Sequence, residues 1–293
     1  MIKINYSETK LLGIFGHPLK QTFSPMVHNK AIELLDLDYV YLPFNVGTTA
    51  LPDAIKGVLA LGIKGLNVTI PHKETILNHL ADFSDEAAMI GSVNTVVNDM
   101  GKLIGYNTDV HGFHETLLPY SDKISGEMVT IIGAGGAARA AIYCLIRHFR
   151  PSKIVIVNRT EQRAHTLKRY FKQKMKFDHF LTYELFPPDI ATVINESALI
   201  VNATPVGMYP EIDDTVIPIP ASFTKNQIVF DLIYNPSKTL LLKQAQQEGA
   251  ICINGLKMLV YQAAKSFQLW TNHEMPVDEI TKFLAREIEL KRI

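Results

Sequence analysis

Four short stretches in the first 109 residues concentrate hydroxyls, amides, one lysine and one carboxylate: Thr22-Phe23-Ser24-Pro25, Asn67-Val68-Thr69-Ile70-Pro71-His72-Lys73, Ser92-Val93-Asn94-Thr95 and Tyr106-Asn107-Thr108-Asp109. Each is expected at a strand end or in a loop, where side chains from separate segments can converge on one cleft. Strand alternation puts Asn67 and Thr69 on one side, opposite Val68, so both can face one ligand. Pro71 suits the first turn of a helix, which would carry Lys73 just past the strand end. Oxidising an alcohol requires a group that takes the hydroxyl proton as hydride leaves, and a well-placed lysine can do this. Lys73 is the candidate for that role, and Asp109 the carboxylate that would orient it and share its proton. Each residue also has a plain structural use: Lys73 as a solvated lysine, Asp109 as a turn or cap residue, Ser24-Pro25 as an N-cap followed by proline. Only their combination points to chemistry.

A hydride also needs a carrier. The segment IIGAGGAARAAI places Gly133-x-Gly135-x-x-Ala138 after an expected strand and at the start of an expected helix, the context in which this spacing means a dinucleotide site. Gly133 permits the tight turn, Gly135 lets the backbone approach a pyrophosphate, and Ala138 keeps the helix close to the sheet. An Asp or Glu at the end of the next strand would bond the ribose 2′-OH, and none is there. The sequence instead reads Asn158-Arg159-Thr160-Glu161-Gln162-Arg163, whose two guanidiniums can embrace a 2′-phosphate. NADP is favoured over NAD. Glu161, lying between the arginines, can pair with one of them, which keeps NAD use open. The basic run Arg163, Lys168, Arg169, Lys172, Lys174 and Lys176 is read as a solvated helix face.

Positioning these groups takes a scaffold of alternating strands and helices. Strands are expected at residues 11–16, 40–46, 64–70, 93–99, 102–107, 128–133, 153–158, 198–204 and 227–233, and helices at 25–35, at 50–61, after Pro71 and from 256 to 293. The fold class is α/β in two domains. Residues 1–109 form an N-terminal α/β substrate domain, completed by 256–293 as C-terminal helices return to it, and residues 110–255 form a Rossmann dinucleotide-binding domain. Length agrees, since 293 residues correspond to about two domains of ~150. Lys plus Arg (29) balances Asp plus Glu (29), so no global field holds nucleic acid or an anionic membrane. Cys144 and Cys252 each sit in an apolar run and read as buried free thiols of a cytoplasmic protein. His111 and His114 lack a third residue spaced to complete a metal site, so no metal is expected.

Together the motifs resemble the shikimate dehydrogenase family, including its quinate/shikimate branch, over nearly the whole chain: GHPLKQTFSP (16–25), NVTIPHK (67–73), GSVNT (91–95), GYNTD (105–109), GAGGAAR (133–139), NRT (158–160), NATPVGM (202–208) and NGLKMLVYQAA (254–264). The resemblance implies a reversible NADP-linked interconversion of 3-dehydroshikimate and shikimate in aromatic amino acid (chorismate) biosynthesis. It implies that Thr22 and Ser24 hold the substrate carboxylate, with Tyr234 closing that end. Asn67, Thr69, Asn94, Asp109 and Gln262 would address ring hydroxyls, and Lys73 and Asp109 would form the catalytic pair. Gly133, Ala134, Gly135, Gly136 and Ala137 would take the pyrophosphate. Asn158, Arg159, Thr160 and Arg163 would take the adenosine end, and Ala203, Thr204, Leu232, Gly255 and Met258 the rest of the cofactor. Three departures stand out: Thr22 replaces a serine, Val110 replaces a glycine after NTD, and Lys257 replaces a second glycine. These features, with VGM (206–208) and IYNP (233–236), look closer to the quinate/shikimate branch, and they keep open a quinate/shikimate dehydrogenase using NAD or NADP in quinate catabolism. A dinucleotide-binding sensor without turnover is the non-enzyme alternative, disfavoured by intact Lys73 and Asp109. The expected state is monomer or homodimer.

Overall fold

The computed structural model describes residues 8–19, 22–185, 190–218 and 223–290; Lys20 and Gln21 of the GHPLKQTFSP stretch, residues 1–7 and residues 291–293 lie outside it. In chain order the elements are β1 (Lys10–Gly16), α1 (Ser24–Leu34), β2 (Tyr39–Asn45), α2 (Leu51–Ala60), β3 (Gly65–Val68), β4 (Asp82–Phe83), α3 (Asp85–Ile90), β5 (Thr95–Asp99), β6 (Lys102–Tyr106), α4 (Asp109–Leu117), α5 (Ser121–Ile124), β7 (Met128–Ile132), α6 (Gly136–Cys144), β8 (Lys153–Asn158), α7 (Glu161–Met175), β9 (Phe180–Glu184), α8 (Ile190–Glu196), β10 (Leu199–Asn202), β11 (Ile228–Asp231), α9 (Leu240–Gln247), β12 (Ile251–Ile253), α10 (Leu256–Thr271) and α11 (Val277–Leu290). The chain divides into two compact units, residues 1–112 with 260–284 and residues 113–259 with 285–293.

The first unit is built on a six-stranded sheet of order β2-β1-β3-β5-β6-β4. It is mixed: β1 runs parallel to β2 and β3, whereas β5 is antiparallel to both β3 and β6. The reversal between β5 and β6 follows from the two-residue connection Met100-Gly101, both at positive φ, a turn whose twist matches that of a hairpin. The helix expected after Pro71 does not form. The Lys73 carbonyl accepts from the Val93 N–H at 2.8 Å, so it is withdrawn from any local helical ladder. The chain instead turns and continues as a 3-10 segment, Thr75–His79. Ile55, Val58, Leu66, Val68, Ile76, Val93 and Val96 form the core on one face of the sheet, each full burial contributing about 1.5–3 kcal/mol. Residues of α10 cover the sheet through Trp270, whose indole N–H donates to the Val96 carbonyl at 2.9 Å. Gly65 makes room for that ring, since a Cβ there would collide with the indole.

The second unit is a six-stranded parallel sheet of order β12-β11-β10-β7-β8-β9. Counted from β7, this is the doubly wound 3-2-1-4-5-6 order, whose switch point lies between β7 and β10. Strands β7, β8, β10 and β11 are buried almost throughout, as their continuous apolar runs require. In α7 only Ala164, Leu167 and Phe171 are buried; the basic run lies along its solvent side. Both cysteines are free thiols, but Cys252 is half-buried, not buried as expected, because the short β12 ends the sheet.

One buried group makes the first unit sensitive to acid. His28 is stacked on Tyr41 at 4.4 Å between ring centroids and lies 5.2 Å from Trp270, and neither of its nitrogens has a hydrogen-bond partner among the described residues. Burial pushes its pKa down to about 3, against a weaker upward pull from the Asn67 amide. Between 6.5 and about 3 the unfolded chain binds a proton that the fold excludes, so stability is full above that window and is lost as pH falls through it. Urea midpoints should therefore fall with acid in the wild type and fall less in His28→Phe. The variant should be no less stable at neutral pH, since an apolar ring leaves no orphaned nitrogens. Equal acid sensitivity of the two proteins would exclude His28 as the cause.

Candidate active site

In the first unit Lys73 and Asp109 meet: Nζ donates to Oδ2 at 2.6 Å, with only 17% and 8% of the two side chains exposed. Lys73 comes from the turn after β3, and Asp109 from the first residue of α4. The other Asp109 oxygen, Oδ1, accepts from Asn94 Nδ2 at 2.9 Å. The orientation of that amide is dictated by the backbone: the Thr108 N–H donates to Asn94 Oδ1 at 2.7 Å, so the NH2 must face the carboxylate. Asn94 Nδ2 also lies 2.9 Å from Thr108 Oγ1 and 3.4 Å from Gln262 Oε1. The catalytic pair expected from the sequence is thus brought together, with Asn94 and Gln262 beside it.

Asn67 sits one layer deeper. Its Nδ2 donates to the Asn94 carbonyl, Thr95 Oγ1 and Ser266 Oγ, each at 3.2 Å, and its Oδ1 accepts from the Tyr41 hydroxyl at 2.7 Å. Burial raises the Tyr41 pKa well above its ordinary value, so the phenol remains a donor. Every polar end of the Asn67 amide is therefore engaged by the protein itself. Ser266, Thr95 and Thr108 complete the cluster, with Ser266 Oγ 2.7 Å from Thr95 Oγ1 and 3.0 Å from Thr108 Oγ1. Sequence reasoning did not single out Ser266 or Tyr41. Ser266 carried a signal nonetheless: it lies four residues after Gln262, on the same helix face. Thr22 and Ser24, at the entry to α1, place their hydroxyl oxygens 3.2 Å apart, a pair able to donate to both oxygens of a carboxylate. Thr69 is half-buried just beyond β3, and Tyr234 is half-buried in the second unit.

The second unit offers a dinucleotide cradle. Gly133 has φ +116°, and a Cβ there would press against the Ala203 carbonyl at 3.0 Å and the Thr204 methyl at 3.1 Å. A Cβ on Gly135 would meet nothing within 4 Å, so the backbone faces open space. Among the described residues no side chain caps the N-terminus of α6, whose first residues are Gly136 and Ala137, and Ala134 leads into it. Ala138 is fully buried against the sheet. Uncapped N–H groups, a positive helix end and space left by a missing side chain fit a pyrophosphate. Beyond β8, Arg159, Thr160 and Arg163 are exposed, while the Asn158 amide donates to the Thr160 carbonyl at 2.9 Å and shapes the turn. Glu161 is occupied elsewhere, pairing with His165 at 3.2 Å. The carboxylate that could have neutralised an arginine thus lies along the helix.

Past the switch point, the loops after β10 and β11 are tied together. Asn202 Nδ2 donates to Asp231 Oδ1 at 3.0 Å, and Asn202 Oδ1 accepts from the Thr204 N–H at 3.0 Å and its hydroxyl at 2.7 Å. Asp231 also accepts from Thr239 Oγ1 at 2.6 Å and from the Ile233 N–H at 3.1 Å. Burial pushes this carboxyl up to about 6, opposed by those donors. Gly255 packs against the Leu232 carbonyl with no room for a Cβ, and Met258 is buried one turn later. Among the described residues no group of three or more His, Cys, Asp or Glu is arranged to hold a metal ion, and no helix is long and apolar enough to cross a membrane.

The chain is similar to known proteins in both sequence and fold. The chain matches family models described as Shikimate dehydrogenase substrate binding domain over residues 14–96, Shikimate / quinate 5-dehydrogenase over 117–232 and Shikimate 5'-dehydrogenase C-terminal domain over 255–282. A curated relative from Caldanaerobacter subterraneus subsp. tengcongensis, named shikimate dehydrogenase (NADP(+)), is 42% identical over 284 residues, covering 96% of this chain and 99% of the relative. A solved shikimate dehydrogenase in complex with NADP+ is similar with a TM-score of 0.88 at 38% identity, covering 96% of each chain. The Thermus thermophilus shikimate 5-dehydrogenase in complex with NADP(H) and shikimate has a TM-score of 0.82 at 33% identity, covering 95% of this chain and 99% of that one.

The exposed arginines carry a direct test. Arg159→Ala combined with Arg163→Ala should weaken NADP+ binding by roughly tenfold or more, the scale of losing charged hydrogen bonds, and weaken NAD+ binding far less. Equal weakening in calorimetric titrations would mean that the 2′-phosphate is recognised elsewhere.

Proposed function

The chain belongs to the shikimate dehydrogenase family, and from that premise we propose that its first unit holds the substrate ring and its second the dinucleotide in a reversible, NADPH-dependent reduction of 3-dehydroshikimate to shikimate. The observation that carries this reading is the Lys73–Asp109 pair at 2.6 Å, embedded beside Asn94 and Gln262. When bound, NADPH supplies the hydride. Lys73 supplies the proton to the ketone oxygen as that oxygen gains charge, and in the oxidising direction it takes the hydroxyl proton. Asp109, held at both oxygens, keeps the ammonium aimed and shares its proton. The Lys73 side chain retains 17% exposure, which leaves a route for water to replace the proton.

Substrate recognition follows from the remaining groups. Thr22 and Ser24 bind the ring carboxylate through their paired hydroxyls. Thr69, Asn94, Asp109 and Gln262 address ring hydroxyls. Asn67, its amide already engaged, braces Asn94 from below. Residues 133–137 hold the pyrophosphate, Asn158 to Arg163 the adenosine end, and Ala203, Thr204, Leu232, Gly255 and Met258 the nicotinamide end. The Thr22 methyl narrows the carboxylate pocket relative to a serine while keeping a donor, which makes Thr22 a position that can shift the preference between shikimate and quinate, whose ring carries an extra hydroxyl beside the carboxylate. The reaction belongs to aromatic amino acid biosynthesis in the cytoplasm, a reducing compartment that suits two free thiols.

Lys73→Ala should lower turnover by roughly 100-fold or more, the scale for an acid–base group, with NADP+ affinity unchanged. Unchanged turnover would refute the assignment. Initial rates for shikimate and quinate against NADP+ and NAD+ test the reaction itself: shikimate with NADP+ should be fastest. Faster quinate oxidation with NAD+ would reassign the enzyme to quinate catabolism.

A further inference from the structure

Asp231 lies at the end of β11, fully buried and touching no group assigned a role in binding or catalysis. Its partners among the described residues are neutral donors: Asn202 Nδ2, Thr239 Oγ1 and the Ile233 N–H. Each leads to a different segment of the crevice beyond the switch point. Asn202 passes the constraint to Thr204, whose N–H and hydroxyl both donate to Asn202 Oδ1, and Thr204 Oγ1 in turn accepts from the Val206 N–H at 3.2 Å. The same loop forms the wall against which the Gly133 turn rests, through the Ala203 carbonyl. Ile233 passes the constraint to Gly255, whose N–H donates to the Ile233 carbonyl at 2.9 Å and which has no room for a Cβ beside the Leu232 carbonyl. Thr239 caps α9, accepting from the Leu242 N–H.

We propose that Asp231 is a positioning residue for the nicotinamide half of the cofactor site, its carboxylate gathering the loops after β10, β11 and β12 into one surface. This rests on the reading of the second unit as the NADP-binding unit. In a doubly wound sheet the two halves of a dinucleotide lie on opposite sides of the switch point. Arg159 and Arg163 follow β8, on one side; every segment tied by Asp231 follows β10, β11 or β12, on the other. The effect of losing the carboxylate is therefore confined to one end of the ligand. A carboxylate suits this task because it accepts from several donors at once, where a neutral amide offers a single oxygen. Asparagine can nonetheless replace it in part. Its oxygen can serve Asn202 and Ile233, while its NH2 faces the Thr239 hydroxyl, which can turn to accept.

The test compares NADP+ with adenosine 2′,5′-bisphosphate, which carries the 2′-phosphate and lacks the nicotinamide, by calorimetric titration of the full-length protein. Asp231→Ala should weaken NADP+ by at least about tenfold, the scale of one or two lost buried hydrogen bonds, and the bisphosphate by less than about threefold. Asp231→Asn should restore NADP+ to within about threefold, the scale of keeping those bonds. Asn202→Ala, which leaves Asp231 in place and frees only the Thr204 loop, should reproduce the selective loss and covers the case in which Asp231→Ala does not fold. Equal weakening of both ligands in folded variants, or of neither, would overturn the inference. Wild-type protein that bound neither ligand would instead overturn the reading of the unit on which it rests.

Discussion

A lysine and a carboxylate 2.6 Å apart, both largely withdrawn from water, set the terms for the rest of the first unit. Desolvating two such charges costs several kcal/mol per ion, and their attraction offsets this only when the geometry is good and the remaining lone pairs are satisfied. The polar cluster around them answers that requirement. Asn94 fills the second oxygen of Asp109, the Thr108 backbone fixes the direction of Asn94, and Asn67 supports the carbonyl of Asn94. Ser266 closes the cluster from α10, 171 residues beyond its partner Thr95. A buried polar network stabilises a single arrangement only when its members are satisfied, which explains why so many hydroxyls and amides converge here.

The second unit solves a different problem. It must leave backbone N–H groups unpaired where a phosphate is to sit, and hold the surrounding loops without filling the space. Gly133, its own N–H spent on the Val157 carbonyl, makes the turn at positive φ, and the absent Cβ of Gly135 leaves open space before the uncapped N-terminus of α6. Side-chain hydrogen bonds to Asp231 supply the second. A buried charge thus appears in both units, held by a cation in one and by neutral donors alone in the other.

What was legible in the sequence was what is local. The glycine turn, the missing acid after β8 and the Lys73 and Asp109 motifs each sit within a few consecutive residues, so their chemistry could be read without knowing what lies across from them. The strands on either side of Met100-Gly101 were local too, and their pairing as an antiparallel hairpin is what the structure adds. Contacts between distant residues were not legible. The helix expected after Pro71 is lost because Val93 claims the Lys73 carbonyl, and Gly65 is a glycine because Trp270 lies over it. Likewise, nothing near Asn67 in sequence reveals that Tyr41 and Ser266 saturate its amide. The short β4 and β12, of two and three residues, carry too few for a periodic pattern and are strands only by pairing with a neighbour.

Arg159, Thr160 and Arg163 stand in solvent on the far side of β8, with none of their side chains in a packed core. Substitution at such positions rarely shifts stability by more than about 0.5 kcal/mol. With the proposed assignment of these side chains to the 2′-phosphate, coenzyme preference is decoupled from the architecture that carries it. Descent or redesign can re-specify that trait through a handful of surface changes, while Gly133 behind it, at positive φ and wedged against the Ala203 carbonyl, tolerates almost none.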